Sequence, residues 1–425
     1  MSLVLTALPV ALLLAGFPIY LVLLTSATAA LLLFMHIPLS VLHQTLFGAV
    51  NIYTLLAVPF FVFTGELMGR GSVAQRLVDF VDAGVGRFPG GLGVTTVCSS
   101  ALFGAISGLS AASVATIGRA MLPALTEAGY PLRFSAGLLT AMGAIDVVIP
   151  PSIPLLVYGT AAQESVPRLY AAGVLPALLL TGLLCSYVVW FCWRNGIGGG
   201  SSFALRQLGR AMLRGATALG APIIIFGGIY GGVVTPTEAA AVACVYAAGV
   251  PLVIYRELGW RDVFDCAQST AAFTGQILII AACSTLFGWV LTVNQIPAEL
   301  TGWLIGLHLP LWSSLLAINV LLLLVGSFMD PISAILLLTP LLVPLVKALG
   351  VDPVHFGIIF AVNLGIGLFH PPFGINIFVA QTVLRLPLNV IYRGIIPFIF
   401  IYLLGLAIIT YIPAVSLAGA RWLIH

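Results

Sequence analysis

Two polar interruptions in otherwise apolar sequence hold the residues most able to do chemistry. Ser107-Gly108-Leu109-Ser110 and Gly326-Ser327-Phe328-Met329-Asp330-Pro331 each place helix-ending residues next to helix-starting ones. Asp330 can accept from the free amides of a first helical turn, and Pro331 suits the first helical position. The partly positive start of that helix could face an anionic solute group, while carbonyls ending the preceding arm, near Gly326 and Ser327, could ligate a cation. Ser107, Gly108, Ser110 and Ser113 offer the same groups at the first interruption, although any single one of these serines is more readily spent on neighbouring backbone.

Two diproline segments add to this set: Ile149-Pro150-Pro151-Ser152-Ile153-Pro154 and His370-Pro371-Pro372-Phe373-Gly374-Ile375-Asn376. Their prolines remove helical hydrogen bonds and free carbonyls, neutral hard oxygens suited to sodium, unless they only kink ordinary helices. Asn376 adds a side-chain amide for a cation or a substrate. Asp146 and His370 lie beside the diprolines in expected spans, where ionisable groups are costly and line cavities or proton paths. Thr235-Pro236-Thr237-Glu238 matches a capping box, which gives Glu238 a structural role. Arg119 lies roughly 14 Å of helix beyond the first interruption and reads as a residue snorkelling to the cytoplasmic interface. His36, His43 and His308 fall near expected span ends.

The elements that must position these groups are membrane spans. Of 425 residues, 61% are hydrophobic and 7% charged, too few charges for a water-facing surface. Apolar crossings are expected at 3–34, 52–69, 133–161, 169–193, 215–232, 237–255, 267–292, 356–384 and 391–413, so residues 1–425 form a single transmembrane domain in the lipid bilayer. The N-terminal MSLVLTALPV has no basic stretch and no clear cleavage site, and reads as the first span rather than a removed signal. The net charge of +3 and scattered arginines exclude a nucleic-acid partner. Cys98, Cys185, Cys192, Cys244, Cys266 and Cys283 contain no CxxC pair and support neither a disulfide framework nor a zinc site.

Residues 91–125 and 311–345, which carry the polar interruptions, are expected to be half-membrane re-entrant hairpins. Broken backbone at that depth survives only where protein or a watery cavity covers it. The loops at 70–87, 127–133, 194–214, 256–262 and 385–393 then share one side. That side holds Arg70, Arg76, Arg87, Arg133, Arg194, Arg206, Arg210, Arg214, Arg256, Arg261, Arg385 and Arg393, and is cytoplasmic by the positive-inside rule. The chain also repeats: Pro123, Phe134 and Pro150-Pro151 parallel Pro344, Phe356 and Pro371-Pro372 at offsets of 221, 222 and 221 residues. A first repeat at 3–193 and a second at 237–413, separated by the crossing at 215–232, must be mutually inverted. Matched interrupted segments in inverted halves point to a secondary transporter with a midplane site.

The segments GAISGLSAASVATIGRAMLPAL (104–125), IPPSIPLLVYG (149–159), GGVVTPTEAAAV (231–242), DPISAILLLTPLLVPLVKALGVDPVHFGII (330–359) and HPPFGINIFVA (370–380) together resemble the large membrane subunit of tripartite ATP-independent periplasmic (TRAP) transporters, over essentially the whole chain. The resemblance implies an all-α elevator-type carrier of the bacterial inner membrane, with no cofactor. It also implies sodium-driven import of organic acids such as dicarboxylates or acidic sugars. The implied partners are a small four-helix membrane subunit and a periplasmic solute-binding protein. Carried across, it places sodium ligands around Ser107 and Ser110, around Gly326 and Asp330, and at Pro150, Gly367, His370 and Gly374. Asp146 stands where the family usually has Gly, and His370 where it commonly has Thr or Ser, so both become candidate coupling residues through proton binding.

Three other readings compete. An intramembrane serine protease would use Ser107, but Ala105 occupies the first glycine position of its GxSG setting, and no enzyme is expected. ATP-driven transport fails because Lys347 is the only lysine and no GxxxxGK[ST] occurs. A stand-alone elevator-type carrier of organic anions, coupled to sodium or protons, is the remaining alternative.

Overall fold

Prolines preceded by a small polar residue set where many of the helices begin. The computed structural model describes residues 2–35, 37–86, 89–197 and 205–423, and among them there is no β-strand. The chain opens with α1 (Ser2–Leu14), α2 (Ile19–Ala30), α3 (Leu39–Val50), α4 (Ala57–Arg70) and α5 (Val73–Val85). The first interrupted pair follows, α6 (Gly91–Ser107) and α7 (Ser110–Glu127), and then α8 (Leu132–Ala141), a 3₁₀ turn over Met142–Val147, α9 (Ile153–Ala162) and α10 (Val166–Asn195). Next come α11 (Leu205–Tyr230), α12 (Pro236–Gly249), α13 (Trp260–Val293) and α14 (Ile296–Gly306). The second interrupted pair is α15 (Leu311–Gly326) and α16 (Pro331–Ala348), followed by α17 (Pro353–Gly367), α18 (Ile375–Val383), α19 (Leu388–Tyr411) and α20 (Ala414–Leu423).

The caps explain several starts. Ser152, Ser165, Thr235, Asp330 and Asp352 each cap a helix through the side chain, with proline at one of the first two positions. Thr235 and Glu238 close the reciprocal capping box that the sequence predicts. In a chain this apolar, such caps satisfy amides that lipid cannot.

α17 is buried from Val354 to Gly367, on every face, which suits a helix with no polar side. Around it lie α9, α10, α15, α16, α19 and the 3₁₀ turn. A buried polar ladder fixes α15 to this centre: Asn363 donates to Asn319 Oδ1 at 2.8 Å, and Asn319 donates to Thr410 Oγ1 at 3.1 Å. At one end two ion pairs join the α9–α10 connection to the α16–α17 connection, Lys347 with Glu164 at 3.4 Å and Arg168 with Asp352 at 3.2 Å. A separate apolar cluster unites α1 and α2 with the C-terminal half of α13 through Leu5, Leu23, Ala27, Leu286, Phe287 and Val290.

Several expected spans differ. Residues 3–34 are not one crossing, because Gly16 at φ +81° and Pro18 separate α1 from α2. The crossing at 52–69 is the second part of a pair bent by 52°. Residues 70–87 are not merely a loop: α5 buries Val73, Ala74, Leu77, Val78 and Val81 at helical spacing. The 194–214 loop is shorter than expected, since α11 starts at Leu205, and α14 was not foreseen. His36, Arg87 and residues 198–204 lie outside the described residues. Among the described residues five helices, α10, α12 with its π turn, α13, α16 and α19, are long and apolar enough to cross a bilayer, and the bent pair makes a sixth candidate. The interrupted pairs have arms of 16 to 18 residues. Each arm is about 24–27 Å long, more than half of a core about 30 Å thick. A tip at mid-depth therefore requires tilted arms or arms that reach beyond the hydrocarbon.

On the arginine-rich side, Glu257 ties α5 to the connection before α13. It accepts from the Ser72 amide at 2.9 Å, from the Ser72 hydroxyl at 2.7 Å and from Arg76 at 3.0 Å, while the Arg76 guanidinium lies 3.6 Å over the Tyr255 ring. The Ser72 hydroxyl, helped by the Ser72 amide and by Arg76, holds the Glu257 carboxyl below its ordinary pKa. Its contribution is therefore full above the ordinary carboxylate range and is lost as pH falls through the lowered value. Glu257→Gln should lower the thermal midpoint of the purified protein at neutral pH. The difference from wild type should shrink as pH falls below about 4.3, as melting curves across pH will show.

Candidate functional site

At the first interruption Gly108 takes φ +62°, a left-handed conformation that favours glycine, and its amide bonds to Gly104 O at 2.8 Å. Leu109 is extended, and α7 starts at Ser110. Ser107 is fully buried, and its hydroxyl accepts from the Leu109 amide at 3.3 Å, so it serves local backbone. Ser110 reaches across the molecule: Asn376 Nδ2 donates to Ser110 Oγ at 2.8 Å and to Thr140 O at 3.2 Å. The first tip is thereby hydrogen-bonded to the second broken span.

At the second interruption, Gly326 abuts Gly367. A Cβ on Gly367 would lie 2.4 Å from the Gly326 carbonyl oxygen, so this contact tolerates no side chain. Ser327 donates to Leu323 O at 2.8 Å and lies 3.0 Å from His370 Nδ1, which is 2.5 Å from Pro371 O. Contact with a carbonyl assigns the proton to Nδ1. Asp330 accepts from the Ser333 amide at 3.0 Å and pairs with the Ser333 hydroxyl, so both of its oxygens serve the cap of α16. The Gly374 amide bonds to His370 O at 3.2 Å, and the Asn376 amide to Leu368 O at 2.9 Å.

The broken spans differ in their free oxygens. Tyr392 donates to Pro372 O at 3.0 Å, and His370 occupies Pro371 O. Among the described residues, no hydrogen bond reaches the carbonyls of Pro150 and Pro151. Asp146, in the 3₁₀ turn, is fully buried with the Ser113 hydroxyl close to its carboxyl group, although no hydrogen bond of normal geometry joins the two or reaches either oxygen from another described residue. The Asp146 carboxylate lies against Gly104 of α6. No group of three or more His, Cys, Asp or Glu that could hold a metal occurs among the described residues.

Both tips line one cavity of about 320 Å³. Gly108, Leu109, Ser110 and Ala111 come from the first tip, and Asp330, Pro331 and Ile332 from the second. Val147, Pro154, Leu368 and Ile375 come from the broken spans, and Phe273, Gln276, Ile277 and Ile280 from α13. The first turns of four helices, α7, α9, α16 and α18, contribute Ser110, Pro154, Pro331 and Ile375 to this lining. No Arg, Lys or His is among the lining residues. Ser107, Ser113, Pro150, Gly326, Gly367, His370, Gly374 and Asn376 are not among the cavity's lining residues. The α13 residues were missed in the sequence because their segment reads as an ordinary apolar span, with Gln276 its one long polar side chain from Phe273 to Leu291.

The family model for the tripartite ATP-independent periplasmic transporter, DctM component, matches residues 6–415. The C4-dicarboxylate TRAP transporter large permease protein DctM of Pseudomonas aeruginosa is 41% identical over 399 residues, covering 94% of this chain and 93% of that protein. The sialic acid TRAP transporter large permease protein SiaM of Vibrio cholerae is 33% identical over 406 residues, covering 96% and 95%. The isethionate TRAP transporter permease protein DctMQ of Oleidesulfovibrio alaskensis is 38% identical over 406 residues; the alignment covers 95% of this chain but 64% of that longer protein. The crystal structure of the Alcanivorax borkumensis YdaH transporter superposes with a TM-score of 0.63 at 17% identity, covering 90% of this chain and 88% of that one, a likeness of fold.

The Asp146 contact yields a paired test. A Cβ on Gly104 would lie 2.3 Å from Asp146 Oδ1 and 2.9 Å from its Cβ, so Gly104→Ala should destabilise the protein by about 1–3 kcal/mol. Asp146→Gly should restore most of that loss in the double variant, a non-additivity that melting of the four proteins measures.

Proposed function

This chain belongs to the DctM component family of tripartite ATP-independent periplasmic transporters, as a large membrane subunit of the bacterial inner membrane, and we propose that it imports a small organic acid anion by sodium symport. The anion occupies the cavity between the two tips. The observation that carries this reading is the convergence of four helix starts on a cavity lined by no cationic side chain. Each start carries a partial positive charge, and the amides of Ser110, Ile153, Ile332 and Ile375 have no hydrogen-bond partner among the described residues, which together suit an anion. The named relatives of this chain transport C4-dicarboxylates, sialic acid and isethionate, all small organic anions.

Sodium is assigned to oxygens at the tips and broken spans, with the free carbonyls of the first diproline the most available ligands. The backbone and hydroxyl oxygens of Ser107, Ser110, Gly326, Asp330, Gly367, His370 and Gly374 complete the candidate set. The recurrence of interrupted pair, broken span and long helix in each half supports inverted repeats. The separate apolar cluster of α1, α2 and α13 supports a frame against which the tip-bearing part moves as an elevator. A small four-helix membrane subunit and a periplasmic solute-binding protein complete the transporter. Proton coupling is a second reading, favoured by the fully buried carboxyl group of Asp146 beside the Ser113 hydroxyl.

Reconstitution of the chain with both partners tests the proposal. Uptake should follow an imposed sodium gradient, ignore a proton gradient, and nearly vanish without the binding protein. Uptake that persists without sodium and follows a pH gradient would transfer coupling to Asp146. Robust uptake by the chain alone would favour a stand-alone carrier.

A further inference from the structure

The cavity has three polar side chains in its lining, and two are already committed. Ser110 is bonded to Asn376, and Asp330 caps α16. Gln276 is exposed and makes no hydrogen bond with any described residue. It shares a stripe of α13 with Phe273, Ile277 and Ile280, whose spacing of three, four and seven residues puts them on one helix face. The tips therefore present helix starts to the cavity, while α13 presents a hydrocarbon surface with one free amide.

Resting on the proposed anion site, we infer that Gln276 is a specificity-determining residue for the end of the solute remote from its acid group. It selects a small organic monoanion whose far end carries an uncharged hydroxyl or carbonyl. The side-chain amide can donate to such a group and accept from a hydroxyl. A second carboxylate would gain no neutralising cation from the wall, and would meet Phe273, Ile277 and Ile280. An unpaired charge against apolar side chains is costly, and a lost hydrogen bond leaves the amide facing nothing.

Three four-carbon acids test this directly: butanoate, 4-hydroxybutanoate and succinate. Their affinities are read from thermal shifts of the purified transporter complex in sodium. Wild type should bind 4-hydroxybutanoate about three to tenfold more tightly than butanoate, and succinate more weakly than 4-hydroxybutanoate. Gln276→Ala should reduce 4-hydroxybutanoate to the level of butanoate and leave butanoate unchanged. Gln276→Glu should weaken all three. Binding of the acids with no preference for the hydroxyl, a preference that survives Gln276→Ala, or strongest binding of succinate would overturn the inference while leaving the anion site standing. If none of the acids binds, the inference and the anion site fall together.

Discussion

A peptide group inside hydrocarbon must be hydrogen-bonded, and every helix that begins there leaves amides that helical bonding cannot reach. Four helices begin around one cavity in this protein, so the cost of those ends is concentrated in one place. Ser152 and Asp330 each offset part of it with a side-chain cap. Leu109 and Gly374, which precede the other two starts, provide no side-chain cap. A ligand with oxygens to offer is the natural complement to those ends.

The two broken spans answer the same constraint differently. In the second, His370, Tyr392 and Ser327 are gathered about the diproline turn, and its carbonyls are occupied from within the protein. In the first, Ser152 turns back to Val147 O, and the proline carbonyls have no hydrogen-bond partner among the described residues. Likeness of sequence thus does not make the halves equal as ligands.

The interruptions were legible because glycine, serine, aspartate and proline stand out against an apolar background, and each has a local conformational reason to end or start a helix. That both tips face one cavity could be anticipated only through the repeat. The commitment of Ser107 and Asp330 to their own backbone was legible from residue type, since serine beside a break and aspartate before proline both have local amides to bond. Span boundaries failed where a single residue decided them: Gly16 divides what hydropathy reads as continuous. α5 was hidden because averaging over its neighbourhood conceals a one-faced pattern. Gln276 went unnoticed because one amide in a long apolar run has no local signature, and its meaning comes from what faces it.

The ion pairs at the α9–α10 and α16–α17 connections join residues from opposite halves of the chain, and all four side chains are at least 20% exposed. Pairs so wetted contribute little to stability. Their value is alignment. With one lysine in the whole sequence, Lys347 has a unique counterpart in Glu164, and Arg168 and Asp352 fix the second point of contact. These two points add to the packing of α9 and α10 against α16 and α17, which fixes how the halves meet. Insertion of a tag or a fusion partner into either connection would leave each helix intact while parting these pairs, so the connections are poor places for a fusion.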